Sequence, residues 1–129
     1  MRYHSADWSV EIPGGWRHTE HPECVTFEPT TGESALQISA YRKDADITDD
    51  DLREFAGDVS LTPISLPSFR GFGATSTEKR MPSRTWWVRA GRSMLFVTYN
   101  CSLAHRGRDD SAVEAMLQSL SPSHAATQV

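Results

Sequence analysis

Apolar and polar residues alternate in three short segments within the first 41 residues. A period of two is typical of strands that bury one face, because successive side chains of a strand point to opposite sides. In the third segment this alternation places Leu36, Ile38 and Ala40 on the buried side. The short turn between the second and third segments indicates an antiparallel hairpin. The three predicted strands are Trp8–Ile12, Cys24–Glu28 and Ala35–Tyr41.

Two later segments have the period of an amphipathic helix. Thr48 is predicted to cap the first helix, and Asp51 completes its capping box. Ser111 and Glu114 form the same pair at the start of the second helix, and Pro122 ends that helix. The buried stripe predicted for the first helix is Leu52, Phe55, Ala56 and Val59. The stripe predicted for the second helix is Val113, Met116, Leu117 and Leu120.

The clearest pattern is a long hairpin over residues 84–102 that turns at Gly91-Arg92. A glycine at the first central position suits a type II′ turn, which joins antiparallel strands tightly. On one face, counting outward from the turn pairs Val88 with Leu95, Trp86 with Val97, and Arg84 with Tyr99. The other face pairs Arg89 with Met94, Trp87 with Phe96, and Thr85 with Thr98. Because both faces carry large apolar residues, we expect another part of the protein to cover the second face.

The predicted elements follow one another as three strands, a helix, further strands and a second helix. Residues 61–83 form the least regular stretch, with one strand expected near Phe69–Thr75. This order predicts an α+β fold in which an antiparallel β-sheet is flanked by helices. The length of 129 residues suits a single domain over residues 1–121, followed by a disordered tail over residues 122–129.

A strand followed by a Pro-Gly-Gly-Trp turn, over Trp8–Trp16, resembles the opening of PsbP-like and DcrB-like α/β/α sandwich proteins. The resemblance extends through the strand at Ala35–Ala40, the helix at 48–59, the hairpin at 84–102 and the helix at 111–120. It implies a small bacterial member of a mostly non-enzymatic group. Members of that group include a photosystem subunit, a Ran-binding import factor, an envelope protein and chaperones for secreted bacterial effectors. The resemblance therefore implies a docking or adaptor protein.

The charge of the chain narrows the range of partners. The net charge is -4, with 13 acids and 5 bases in residues 1–58 against 4 acids and 8 bases in residues 59–129. This balance argues against nucleic acid as a partner, because nucleic-acid binders usually carry a basic footprint. No apolar run has the length of an export signal or a membrane span, so we expect a cytoplasmic protein with no membrane partner.

His18, His21 and Cys24 are the strongest metal candidates, because three side chains that can bind zinc fall within seven residues. A fourth ligand is missing, so ordinary loop residues are favoured and no metal or cofactor is predicted. Cys24 or Cys101 could act as a nucleophile only beside an oriented base, which the sequence does not indicate. In a reducing cytosol we expect both cysteines to be free. We predict that the protein is not an enzyme.

The second face of the hairpin is the best candidate for partner binding. Trp87, Met94 and Phe96, edged by Arg89, belong to residue types that are enriched at protein interfaces. The competing interpretation is that a flanking helix covers them, and burial of both Trp86 and Trp87 would argue against docking. We predict a non-catalytic protein-binding module, monomeric or homodimeric, acting as an adaptor, chaperone or immunity-type partner. The alternative is a small-ligand or metal-binding protein that uses the 18–24 loop.

Overall fold

The computed structural model describes residues 1–30, 32–76 and 81–122. The strands in this part are β1 (Arg2–His4), β2 (Trp8–Glu11), β3 (Trp16–Glu20), β4 (Val25–Pro29), β5 (Ser34–Arg42), β6 (Thr62–Ser65), β7 (Arg70–Ser76), β8 (Ser83–Ala90), β9 (Ser93–Cys101) and β10 (Ser121–Pro122). The helices are α1 (Asp49–Ala56) and α2 (Asp110–Ser119). No helix in the described residues is long and apolar enough to cross a membrane.

The strands of the described residues form two antiparallel sheets. The larger sheet has seven strands in the order β3-β4-β5-β9-β8-β7-β6, and the smaller one has the order β1-β2-β10. With two helices beside these sheets, the predicted α+β class is confirmed. All six predicted pairs of the β8–β9 hairpin are present, from Arg84 opposite Tyr99 to Arg89 opposite Met94. Gly91 makes the turn with φ of 58°, a value that favours glycine.

Four of the strands in the described residues were not predicted from the sequence, and β3 and β6 show the reason. β3 is an edge strand whose side chains are mostly exposed, so it has no apolar alternation to detect. β6 lies at the opposite edge and contains Pro63, a residue that normally argues against a strand. Proline is tolerated there because one side of an edge strand has no neighbour to bond.

Two hydrophobic cores lie on opposite sides of the β8–β9 hairpin, as strand alternation requires. Val88 and Leu95 belong to the larger core, whereas their chain neighbours Trp87 and Met94 belong to the smaller one. The larger core joins the main sheet to β2 and to the predicted α2 stripe, all four residues of which are buried. The smaller core consists of Ile47, Leu52, Phe72, Trp87 and Met94.

The α1 helix has the predicted cap but not the predicted stripe. Thr48 Oγ1 accepts from the Asp51 amide at 3.1 Å, and Asp51 Oδ2 accepts from the Thr48 amide at 2.9 Å. Leu52 is fully buried, but Phe55 is 52% exposed and Val59 is 47% exposed. The helix ends at Ala56, so Val59 is not part of it. Phe55 is not among the residues of the smaller core. The predicted four-residue buried stripe is therefore wrong.

The α2 helix begins two residues earlier than a cap at Ser111 predicts. Its N-cap residue is Asp109, and Ser111 lies inside the first turn. The Asp109 carboxylate makes no cap hydrogen bond and instead accepts from the hydroxyl groups of Tyr99 and Ser34. Pro122 lies in β10 opposite Trp8, and the rest of the predicted disordered tail falls outside the described residues.

Replacing Thr48 with alanine is expected to lower the free energy of unfolding by about 1 kcal/mol, because an orphan helix amide loses its acceptor. Ser111→Ala is the matched control, since the sequence suggests the same cap but the structure shows none. We expect Ser111→Ala to stay within about 0.5 kcal/mol of the parent protein. Urea denaturation measures both variants, and equal losses would contradict the cap assignment.

Candidate functional site

An open groove of about 350 Å³ lies beside α1 on the side of the sheet that holds the smaller core. Trp87 and Met94 form its floor, and three aromatic side chains stand around them as a rim. The exposed fraction of the rim residues is 45% for Tyr41, 52% for Phe55 and 37% for Phe96. We call this site the aromatic groove, and its lining is Ser39, Ala40, Tyr41, Phe55, Trp87, Met94 and Phe96.

Strand register brings these side chains together. Tyr41 pairs with Met94 across β5 and β9, and Phe96 pairs with Trp87 across β9 and β8. The Trp87 and Phe96 rings lie 5.8 Å apart between centroids. Phe55 comes from α1, and its ring lies 5.3 Å from that of Tyr41. Three strands and one helix thus fix the groove.

The structure separates the predicted docking residues into a buried group and an exposed one. Trp87 is 7% exposed and Met94 is 4% exposed, because α1 covers them, and Trp86 is buried on the other side of the sheet. The burial of both tryptophans argues against a docking face built on Trp87 and Met94, which can offer a partner very little surface. Phe96 stays accessible, and its predicted role in partner binding stands as a prediction.

Arg89, a predicted docking residue, pairs with Asp49 within the protein. Its Nε donates to Asp49 Oδ1 at 2.8 Å, which ties β8 to the first turn of α1. This hydrogen bond, followed by the charge of the guanidinium, holds the pKa of Asp49 below its usual range. Arg89 is absent from the groove lining, so its observed contact positions the helix that forms one wall of the groove.

Tyr41 and Phe55 are groove residues that the sequence interpretation missed. Phe55 fitted the helical period and was assigned to the buried stripe. Tyr41 was given no role, although it alternates with Gln37 and Ser39 on the outward side of β5. The sequence carried no strong signal for Tyr41, because a single aromatic residue on the outward face of a strand is common and only a contiguous exposed patch is informative.

The 18–24 loop does not assemble a metal centre. His18 packs its ring against Tyr3, 4.9 Å between centroids, and the His21 amide donates to the Cys24 carbonyl at 2.9 Å to close the β3–β4 turn. Within the described ranges, no three His, Cys, Asp or Glu side chains lie close enough to hold a metal ion. Cys24 and Cys101 are both free thiols.

A wider polar cleft of about 680 Å³ lies where β7, β8 and β9 meet the loop before α2. The Arg84 guanidinium in this cleft lies 4.8 Å from the Trp86 ring centroid and 4.0 Å from an Asp110 carboxylate oxygen. Tyr99 Oη donates to Asp109 at 2.8 Å. Burial, then this hydrogen bond, raises the pKa of Tyr99 above its ordinary value. These contacts tie Arg84 to Asp110 and Tyr99 to Asp109 within the protein.

No family model and no curated protein matches this chain. Solved structures do match it. A protein of Bacteroides thetaiotaomicron VPI-5482 aligns with a TM-score of 0.75 at 17% identity, covering 95% of this chain and 48% of that one. The chain thus spans about half the length of that protein.

Two further structures align over most of both chains. LpqN of Mycobacterium tuberculosis, involved in cell envelope biogenesis, has a TM-score of 0.56 at 11% identity, covering 90% of this chain and 83% of LpqN. PsbP (CyanoP) of Synechocystis sp. PCC 6803 has a TM-score of 0.52 at 13% identity, covering 95% and 92%. Likeness at such identities concerns architecture and carries no function. The chain has a PsbP-like α+β fold.

Proposed function

We propose that this chain is a non-catalytic protein-binding module, acting as an adaptor, chaperone or immunity-type partner, that docks its partner in the aromatic groove. The observation that carries the proposal is the convergence of three aromatic rings, each more than a third exposed, over a ready-made apolar floor. Contiguous exposed aromatic surface is typical of interaction sites, because solvent contact of such rings is unfavourable.

The rim is suited to binding at low entropic cost. The Tyr41 and Phe96 side chains rest against Phe55 and Trp87 respectively, so their rings are already ordered before a partner arrives. Covering the exposed part of one such ring is worth roughly 1 kcal/mol. Three rings together therefore supply roughly 3 kcal/mol, which is the scale of an interface hot spot.

We also propose that the chain is a bacterial, cytoplasmic relative of the PsbP-like and DcrB-like α/β/α sandwich proteins. Two features support the sandwich arrangement. The smaller core includes Leu52 of α1, and the larger core includes Met116 of α2 on the other side of β8 and β9. Cell fractionation followed by immunoblotting tests the location, and recovery with membranes or outside the cell would contradict it.

The double variant Phe55→Ser/Phe96→Ser is expected to weaken partner binding about 30-fold, because roughly 2 kcal/mol of ring burial is lost. The measurement is a tagged pull-down from native lysate, followed by titration of the purified pair. The matched control is Val59→Ser/Leu103→Ser, which removes two comparably exposed apolar side chains that are not part of the groove lining.

Circular dichroism spectra must show that both double variants are folded. A stoichiometric partner retained by the control and lost by the groove variant supports the proposal. A partner that binds both double variants equally would place the docking surface outside the aromatic groove.

A further inference from the structure

The segment that forms the α1 side of the aromatic groove is strongly acidic. Residues 42–58, which follow Tyr41 and include Phe55, contain seven acids and three bases. Any partner that covers these two rings therefore lies close to a cluster of negatively charged side chains. At physiological ionic strength such charges act over about 8 Å, so they reach side chains that flank the groove.

Three of the seven acids already have partners. Asp49 bonds Arg89, Asp50 bonds Arg53, and Asp51 bonds Lys43, with distances between 2.8 and 3.1 Å. The acids of this segment that have no ion pair within the described residues are Asp44, Asp46, Glu54 and Asp58, and all four are exposed. These four carboxylates are available to an incoming cation.

Glu54 is the unpaired acid most directly tied to the groove. It precedes Phe55 on α1, and Tyr41 and Glu54 both lie near enough to the Lys43 ammonium to contribute to raising its pKa. Lys43 itself donates to Asp51, the largest contribution to that rise. Lys43 is thus engaged with Asp51, and no ion pair among the described residues includes the Glu54 carboxylate.

On this charge pattern we propose that the groove receives a segment of a partner protein in which apolar side chains are flanked by lysine or arginine. This inference rests on the proposed docking function and specifies the partner. The apolar side chains cover Tyr41, Phe55 and Phe96, while the flanking cations lie against the unpaired carboxylates. A second copy is disfavoured, because groove-to-groove contact in a symmetric dimer would place the acidic segment against itself.

Selection from a phage library of random 12-residue peptides provides the first test. Clones are kept only if they bind the parent protein and fail to bind Phe55→Ser/Phe96→Ser. We expect these groove-dependent clones to be enriched in peptides with an aromatic or aliphatic pair flanked by at least two lysines or arginines.

A synthetic peptide from the enriched set provides the second test, by fluorescence anisotropy at low salt. The variant Asp44→Lys/Glu54→Lys is expected to weaken its binding about tenfold, because two favourable charge contacts become repulsive. The control Glu114→Lys reverses an exposed acid on α2, whose buried residues belong to the other core, and should leave the affinity unchanged.

The outcomes separate this inference from the proposed function. Groove-dependent clones that are neutral or acidic, or equal affinity for both charge variants, would overturn the basic partner and leave docking intact. If the protein self-associates only while Phe55 and Phe96 are present, the occupant of the groove is a second copy. That result would also overturn the basic partner segment. The absence of any groove-dependent clone would overturn the basic segment as occupant, and the pull-down with Phe55→Ser/Phe96→Ser would then decide the docking proposal.

Discussion

Replacing Gly71 with alanine is expected to lower the free energy of unfolding by about 3 kcal/mol, because a methyl group at that position has no space. The added Cβ would overlap the carbonyl oxygen of Trp87 and would lie 2.9 Å from both Val88 Cα and Leu52 Cδ1. Two of these three atoms are backbone atoms of the neighbouring strand, which cannot retreat without disturbing the β7–β8 ladder. The glycine is therefore required by the packing of α1 and β8 on β7.

Gly14→Ala is the matched control for this prediction. No atom lies within 4 Å of a Cβ at Gly14, and its backbone is outside the left-handed region. Alanine there should be neutral or stabilising by up to about 1 kcal/mol, since it reduces the freedom of the unfolded chain. Urea denaturation compares the two variants, and a Gly71→Ala midpoint equal to that of the parent protein would refute the packing argument.

Trp87→Ala is expected to cost about 4 kcal/mol of stability, the range found when a buried aromatic side chain leaves a cavity. Trp87 is 7% exposed and packs with Leu52, Phe72 and Met94 in the smaller core. Loss of the ring would remove the support of α1 as well as the groove floor. A partner lost on Trp87→Ala could thus be lost because α1 detaches.

Phe96→Ala is the informative comparison. Phe96 lies directly opposite Trp87 in the β8–β9 register but is 37% exposed. We expect this variant to cost roughly 1 kcal/mol, because only part of the ring leaves a packed environment. If urea denaturation showed equal losses for Phe96→Ala and Trp87→Ala, the assignment of Trp87 to the core and Phe96 to the rim would be wrong.

The candidate site could be predicted from the sequence in part. The hairpin register made it possible to name Trp87, Met94 and Phe96 as neighbours, and they do line one groove. It could not show which of them a helix covers. Phe55 follows the helical period and was expected inside, yet a two-turn helix places only Leu52 fully in the core and directs Phe55 toward β5.

Local sequence patterns were sufficient to predict the β8–β9 register, the Thr48 cap, the α2 stripe and the α+β class. These depend on periodicity and turn chemistry, which act between residues close in the chain. Tertiary structure alone decided the edge strands β3 and β6, the use of Asp109 as an acceptor for Tyr99 and Ser34, and the exposure of the groove rim. Edge pairing, side-chain partners and solvent exposure depend on segments distant in the chain, and no local pattern encodes how far a two-turn helix reaches across a seven-stranded sheet.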